Sequence, residues 1–132
     1  MLDIALPVLN KEQTKKNVLQ ALKKYHLFLS SIDERDIERV QNGKVIDMSK
    51  TVLERINYIQ EIRKGVGKLN MLDKRLIELA YLGREKPSWI KMCRILNMSQ
   101  PDYYRKRNKA LCNLAYKLGI EVEEINKKGC KL

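Results

Sequence analysis

Residues 99–118 read SQPDYYRKRNKALCNLAYKL, and this stretch decides the fold because it carries both ends of one long helix. Ser99 is a favourable N-cap, and Pro101 lies in the first turn, where a missing N–H removes no helical hydrogen bond. Asp102 complements the helix dipole three residues after the cap, and Gly119 suits the position after the last turn. We therefore predict a single helix over these residues.

The apolar residues of this helix recur at steps of three and four, so one stripe can face a core. A shorter helix is predicted just upstream, over residues 87–96. A short helix, a tight turn and a longer helix with basic and amide side chains is the layout of a helix-turn-helix, whose second helix enters the major groove of DNA. An ordinary helical hairpin with a solvated basic face fits the periodicity equally well. The stripe consists of Tyr103, Arg107, Ala110, Leu111, Leu114 and Leu118, and the outward face of Gln100, Tyr104, Arg105, Asn108 and Lys109.

Charge favours the DNA-binding interpretation over the hairpin. Residues 84–109 contain eight Lys or Arg against two Asp or Glu, and the whole chain has a formal net charge of +11 and a pI near 9.7. Such a balance indicates a polyanionic partner, and double-stranded DNA is the first choice. A membrane is not expected, because the sequence contains neither an 18-residue apolar run nor a lipidation motif. The first ten residues lack the basic region of a signal peptide, so we expect the cytoplasm of a bacterial host cell.

The residues that usually carry chemistry are few and scattered. Cys93, Cys112 and Cys130 are odd in number and form no C-x-x-C pair, so neither a disulfide framework nor a zinc site is predicted. The single histidine, His26, has no cysteine close to it in sequence and no second histidine to complete a metal site. We expect no catalytic residues, no metal, no cofactor and no enzymatic activity.

The rest of the chain predicts further amphipathic helices and almost no strand, so the expected fold class is all-α, with a helix-turn-helix near the C-terminus and an N-terminal helical arm. Residues 1–70 are expected to form a helical region for scaffolding, oligomerisation or partner contact. Residues 71–120 are expected to form the DNA-binding region, and residues 121–132 a mobile basic tail.

Five lysines on the first helix fit either a solvated face or a secondary phosphate contact: Lys11, Lys15, Lys16, Lys23 and Lys24. The predicted helices run from Asn10 to about Ser30, from the capping box Ser31-Ile32-Asp33-Glu34 to Asn42-Gly43, from Asp47 or Ser49 to Gly65-Val66-Gly67, and from Leu72 or Asp73 to Gly83.

Several short motifs of the chain resemble known DNA-binding proteins. Residues 76–82 and 90–96, followed by Asn97-Met98-Ser99, resemble the helix-turn-helix of region four in sigma factors. The chain is more similar to the ArpU/RinA family of small phage-encoded transcriptional regulators. It shares with that family Thr14 to Val18 followed by Lys24-Tyr25, and an ending with Ile95-Leu96, Tyr103-Tyr104 and Lys109-Ala110-Leu111. The resemblance implies a sequence-specific activator of late phage genes, such as packaging and lysis genes, working beside RNA polymerase.

The resemblance also implies roles for individual residues. Ser99 would place the helix end against a phosphate, while Gln100, Tyr104, Arg105 and Asn108 would face the groove, where Arg can pair with guanine and Gln or Asn with adenine. Asp102 fits either a dipole partner, which we favour, or an acceptor for cytosine. Arg107 departs from the sigma-like pattern, which usually has an apolar residue there, and would reach a phosphate by extending past the core. The residues expected on phosphates are Lys86, Lys91, Lys106 and Lys109.

Two alternatives to a transcription regulator stay open. One is a DNA-binding packaging component similar to a small terminase subunit, and the other is an adaptor that binds RNA polymerase and contacts DNA little. The apolar stripes of residues 18–28 and 52–66 look larger than a small helical unit needs, which predicts a homodimer with two recognition helices. Within the DNA-binding unit, the predicted core residues are Trp89, Leu96, Leu111 and Leu114.

Overall fold

The computed structural model describes residue 2 and residues 4–44 and 47–124, and the regular structure of these residues is helical. The prediction of an all-helical protein is confirmed. The only extended pairing in this part of the chain is one antiparallel bridge, between Leu9 and Glu123. The helices are α1 (Lys11–Ser31), α2 (Glu34–Gln41), α3 (Lys50–Gly67), α4 (Met71–Ile77), a π-helical turn (Glu78–Leu82), α5 (Trp89–Leu96) and α6 (Gln100–Leu118).

Each α-helix begins at a polar side chain that accepts a hydrogen bond from a backbone N–H of its own first turn. These caps satisfy donors that have no partner within the helix, and they fix where each helix starts. Asn10 and Ser99 were predicted for α1 and α6, whereas α4 begins at Met71, earlier than predicted, because Asn70 caps it through the Asp73 N–H. The capping box predicted at Ser31 is wrong, because Ser31 is the last residue of α1 and Asp33 caps α2 through the Arg35 N–H. The full set of caps is Asn10, Asp33, Ser49, Asn70, Ser88 and Ser99.

One hydrophobic core joins the two predicted regions of the chain. Helix α1 packs against α3 and α6, and α4 and α5 also pack against α6. Residue 70 therefore does not separate two cores. The largest fully buried side chains come from both sides of it and include Leu22, Tyr25, Leu29, Ile37, Ile56, Ile59, Leu76, Ile77, Met92, Leu111 and Leu114.

The apolar stripes of α1 and α3 are mostly covered within a single chain. Val18 and Tyr25 of α1 and Ile56 and Ile59 of α3 are each 0% exposed. The packing of α1, α3 and α6 in one molecule thus buries the middle of both stripes, while Phe28 and Val52 at their ends stay half-buried. The homodimer itself stays a prediction.

Helix α3 ends within the predicted Gly65-Val66-Gly67 terminator, but at its second glycine, and Gly65 has a further role in packing. The helix continues to Gly67, and Gly65 is buried against Leu114 and Leu118 of α6. A Cβ built on Gly65 would lie 3.3 Å from Leu118 Cγ and closer still to one of its methyl groups. The missing side chain thus lets α3 and α6 approach each other.

The first residues of the predicted tail lie against the start of α1. Asn10 N donates to Val122 O at 2.7 Å, and Glu124 N donates to Val8 O at 2.7 Å. Thr14, which is buried, accepts a hydrogen bond from Val122 N at 3.0 Å through its hydroxyl. These bonds hold residues 120–124 and the first turn of α1 together, while residues 125–132 of the tail lie outside the described part of the chain.

Candidate nucleic-acid interface

A sharp three-residue turn joins α5 to α6. Helix α5 ends at Leu96, and Asn97 adopts a left-handed conformation with φ of 55°, which asparagine tolerates better than most residues. Met98 N donates to Cys93 O at 2.9 Å, which satisfies a carbonyl in the last turn of α5. Ser99 then caps α6 by accepting from Asp102 N at 3.3 Å. The predicted order of short helix, turn and long helix is therefore present.

The predicted register of α6 is correct for its apolar stripe. Tyr103, Ala110, Leu111 and Leu114 are all buried, and Leu111 and Leu114 are core residues as predicted. On the other side of the helix, Arg105 and Lys109 are exposed, and Gln100 is exposed as the first residue of α6. Amide and cationic side chains therefore reach solvent along the first three turns of α6.

Two of the residues predicted for the core of the DNA-binding unit, Trp89 and Leu96, are not fully buried. Trp89 is 40% exposed, and Leu96 is half-buried. Helix α5 has only eight residues and packs mainly against α6, so it buries one narrow stripe, which Met92 occupies with no exposed surface. Trp89 lies at the edge of that contact, with its ring centroid 6.5 Å from that of Tyr104.

Asp102 holds two of the predicted DNA-binding cations. Its carboxylate accepts a hydrogen bond from the Arg105 guanidinium and lies 3.4 Å from Lys106 Nζ. Desolvation raises the pKa of Asp102, but the bonds and charges of Lys106 and Arg105 outweigh it and hold the pKa below its usual range. Asp102 therefore stays ionised at neutral pH and partly neutralises the outward face.

Arg107 packs against aromatic rings instead of lying on the exposed face. Its guanidinium carbon is 4.9 Å from the centroid of Tyr104, and one terminal nitrogen donates to Asn108 Oδ1 at 3.2 Å. Burial raises the pKa of Tyr81, and the nearby charge of Arg107 opposes that shift. Arg107 Nε is buried and has no hydrogen-bond partner among the described residues. The structure thus explains how a cation fits the apolar stripe, through stacking on Tyr104 one turn earlier.

The remaining residues that were predicted to contact DNA differ in how exposed they are. Lys86 and Lys91 are exposed at the start of α5, where the Lys91 N–H donates to the cap Ser88 Oγ at 3.2 Å. Tyr104, Lys106 and Asn108 are half-buried. The predicted site residues that are exposed in the fold are Lys86, Lys91, Ser99, Gln100, Arg105 and Lys109.

The structure also brings two lysines of α1 to α6. Lys11 and Lys15 line a groove of about 530 Å³ together with Arg105 and Lys109. Lys24, in contrast, lies over the rings of Phe28 and Tyr58, at 5.5 and 4.6 Å from their centroids. The sequence alone does not distinguish these lysines from the others on α1, because residue spacing within one helix does not show which of its turns lies beside α6.

The described residues contain no group of three or more His, Cys, Asp and Glu side chains that could hold a metal ion. His26 is half-buried and meets the ring of Tyr25 edge-on at 5.9 Å between centroids. Cys93 and Cys112 are free thiols. Within the same part of the chain, no helix is both long and apolar enough to cross a membrane.

Comparison with curated proteins gives one relative at low identity. It is an uncharacterised phage-related protein of Listeria innocua, 24% identical over 135 aligned positions that cover 90% of this chain and 96% of the relative. The chain is similar to a phage-related protein. No protein-family profile matches the sequence, and no solved structure matches it significantly.

Proposed function

We propose that this protein is a sequence-specific DNA-binding regulator of transcription, in which α5 and α6 form a helix-turn-helix. The observation that carries the proposal is that Arg105 and Lys109 are exposed on the side of α6 away from its apolar stripe, with Gln100 exposed directly after the three-residue turn. Helix α6 would enter the major groove with its first turns, since these carry side chains that hydrogen-bond to base edges or phosphates. The net charge of +11 supports a polyanionic partner.

The phage-related relative supports a role in phage biology, at the coarse level that its description gives. The resemblance of the sequence to the ArpU/RinA family extends the proposal to activation of late phage genes beside RNA polymerase. In this proposal Arg105 reads a guanine, and Lys86, Lys91 and Lys109 bind phosphates.

Arg105 can leave Asp102 when it meets a base. Its side chain is 75% exposed, so water competes with Asp102 for the guanidinium and the ion pair holds it only weakly. Until then the pair keeps the guanidinium close to the helix surface. A bidentate contact of Arg105 with guanine is worth about 1–3 kcal/mol in discrimination between bases, so it would replace the ion pair with Asp102.

The experiment is a selection of bound duplexes from a random pool, followed by binding measurements over a salt series. Arg105→Ala should lose about 1–3 kcal/mol on the selected duplex and relax the preference at one base pair, whereas Lys109→Ala should weaken all duplexes alike and lower the salt slope by about one unit. Arg35→Ala is the matched control. Its side chain is 86% exposed and likewise pairs with a nearby aspartate, Asp33, but on α2.

Binding that does not change with salt would overturn the proposal, as would an equal loss on selected and random duplexes for Arg105→Ala. Duplex binding that does not depend on salt would instead favour the alternative function, an adaptor that binds RNA polymerase and contacts DNA little. One observation supports that second candidate: α5 exposes Trp89, Ile90 and Ile95, of which Ile90 is 52% exposed. An apolar surface of this kind suits a protein partner better than a phosphate backbone.

A further inference from the structure

The groove between the start of α1 and the middle of α6, here called the α1–α6 groove, gathers positive charge from two distant parts of the chain. Lys11 and Lys15 contribute from α1, and Arg105 and Lys109 from α6. One acidic residue, Glu12, also lines it. Its volume of about 530 Å³ leaves room for a backbone phosphate group together with its sugar.

Three of these four cations have no acidic partner. Arg105 is paired with Asp102, but Lys11, Lys15 and Lys109 form no ion pair with any residue that the structure describes. Like charges placed together raise the free energy of the fold unless a counter-charge is supplied. The groove therefore favours an anion from outside the chain.

Helix stability does not explain the two lysines of α1. Lys11 is the first residue of the helix, and Lys15 follows one turn later. The N-terminus of a helix carries a partial positive charge, so cations there are unfavourable and anions favourable. The same partial charge adds to the attraction of the groove for an anion.

The lysines are held in a fixed position relative to α6. Thr14 lies between them on α1 and bonds to Val122 in the segment that follows α6, and Asn17 Nδ2 donates to Ile120 O at 3.2 Å. Burial raises the pKa of the Cys112 thiol on α6, and the charges of Lys11 and Lys15 oppose that shift. Lys11 and Lys15 line the same groove as Cys112, on this side of α6.

We infer that the α1–α6 groove binds the phosphodiester backbone of double-stranded DNA, which makes α1 a second DNA-contacting element beside α6. This inference rests on the proposed function, since the duplex that α6 enters is the one whose backbone the groove would hold. The contact involves lysine ammonium groups and phosphates alone. It sets affinity and salt dependence and carries no base preference.

The test compares the parent chain with the variant Lys11→Gln/Lys15→Gln in binding to random-sequence and selected duplexes over a salt series. Each lost phosphate contact should lower the slope of the logarithm of the binding constant against the logarithm of salt concentration by about one unit, so the variant should lose about two. The base preference found by duplex selection should stay unchanged. Thermal unfolding should show a midpoint no lower than that of the parent, because glutamine removes an unfavourable charge from the helix start.

The matched control is Lys23→Gln/Lys64→Gln. It removes the same number of charges from exposed positions that do not line the groove. Its slope should stay within a fraction of a unit of the parent. An equal loss in the control would mean that net charge alone acts, and it would overturn the inference.

The outcomes separate the inference from the proposed function. A steep slope in the parent that Lys11→Gln/Lys15→Gln leaves unchanged would overturn the groove as a phosphate site and leave α6 as the recognition helix. A parent that binds no duplex would overturn both. A variant that loses two units and keeps the base preference supports the inference.

Discussion

At the scale of single residues, Leu111 shows best how the candidate interface depends on the core. Its side chain is fully buried on the face of α6 opposite Arg105 and Lys109. Leu111→Ala should cost about 2–5 kcal/mol of unfolding free energy, because the truncation loses buried apolar surface and leaves a cavity. Denaturant titration followed by circular dichroism measures this loss.

Ile90→Ala on α5 is the control for Leu111→Ala. Ile90 is 52% exposed, so its truncation should change the unfolding free energy by less than about 0.5 kcal/mol. If Leu111→Ala cost as little as Ile90→Ala, the apolar stripe of α6 would face solvent, and the cationic face could not be the accessible one.

The residues that the sequence predicted correctly are those whose environment is set by near neighbours. Ser99 caps α6 because its hydroxyl needs only an N–H three residues away, and Leu111 and Leu114 are buried because one helix face repeats. Trp89 was predicted wrongly, because its exposure depends on how little of α5 the rest of the fold covers. How much of α5 is covered depends on tertiary packing, which the spacing of residues along one helix does not reveal.

At the scale of secondary-structure elements, Gly65 determines how closely α3 and α6 pack. An alanine Cβ there would meet the end of the Leu118 side chain. Replacing glycine by alanine inside a helix usually gains roughly 0.5–1 kcal/mol, but crowding a packed contact costs typically about 1–3 kcal/mol. Gly65→Ala should therefore lower the unfolding free energy, by up to about 2 kcal/mol, as measured by denaturant titration.

Gly67→Ala provides the comparison, because nothing lies within 4 Å of the Cβ it would add. It should be neutral or stabilising by up to about 1 kcal/mol. Leu118→Ala removes the obstructing methyl groups, so in that background Gly65→Ala should no longer destabilise. A Gly65→Ala variant that is as stable as Gly67→Ala in the parent chain would contradict the close approach of the two helices.

The limits of local patterns are clearest at this scale. Glycine near the end of an apolar run ordinarily predicts a helix end, and only the position of α6 reveals that Gly65 is needed for packing. The α1–α6 groove has the same origin, since Lys11 and Arg105 are far apart in sequence and meet because α1 packs along α6. In the described residues, helix positions were largely predictable and helix neighbours were not.

At the scale of the whole molecule, one polar network ties together the elements that precede α5 and α6. Arg63 of α3 donates to both carboxylate oxygens of Glu34 on α2, at 3.2 and 3.0 Å, and from Nε to Tyr25 Oη on α1 at 3.2 Å. Tyr25 Oη donates in turn to Leu82 O at 3.0 Å, at the end of the π-helical turn. Arg84 donates to Leu29 O and Ile32 O, which fastens the segment before α5 to the end of α1.

This network predicts how stability changes with acid. The hydrogen bonds from Arg63 lower the pKa of Glu34, against the opposing effect of its partial burial. A carboxyl whose pKa is lower in the folded chain than in the unfolded chain stabilises the fold above its unfolded pKa, and this contribution disappears as the pH falls through the folded pKa. Glu34→Gln should therefore lower the unfolding free energy at pH 7 and have progressively less effect below pH 4.5, the ordinary pKa of glutamate.

Glu38→Gln is the matched control on the same helix, because Glu38 is exposed and forms no ion pair with a described residue. Since Glu34 is partly exposed, its pair should contribute no more than about 1 kcal/mol at pH 7. Denaturant titrations at a series of pH values would show the two variants separating above pH 4.5 and converging in acid. If Glu34→Gln kept the same loss at low pH, the interaction would not depend on the carboxylate charge, and packing of the side chain would have to link α2 to α3.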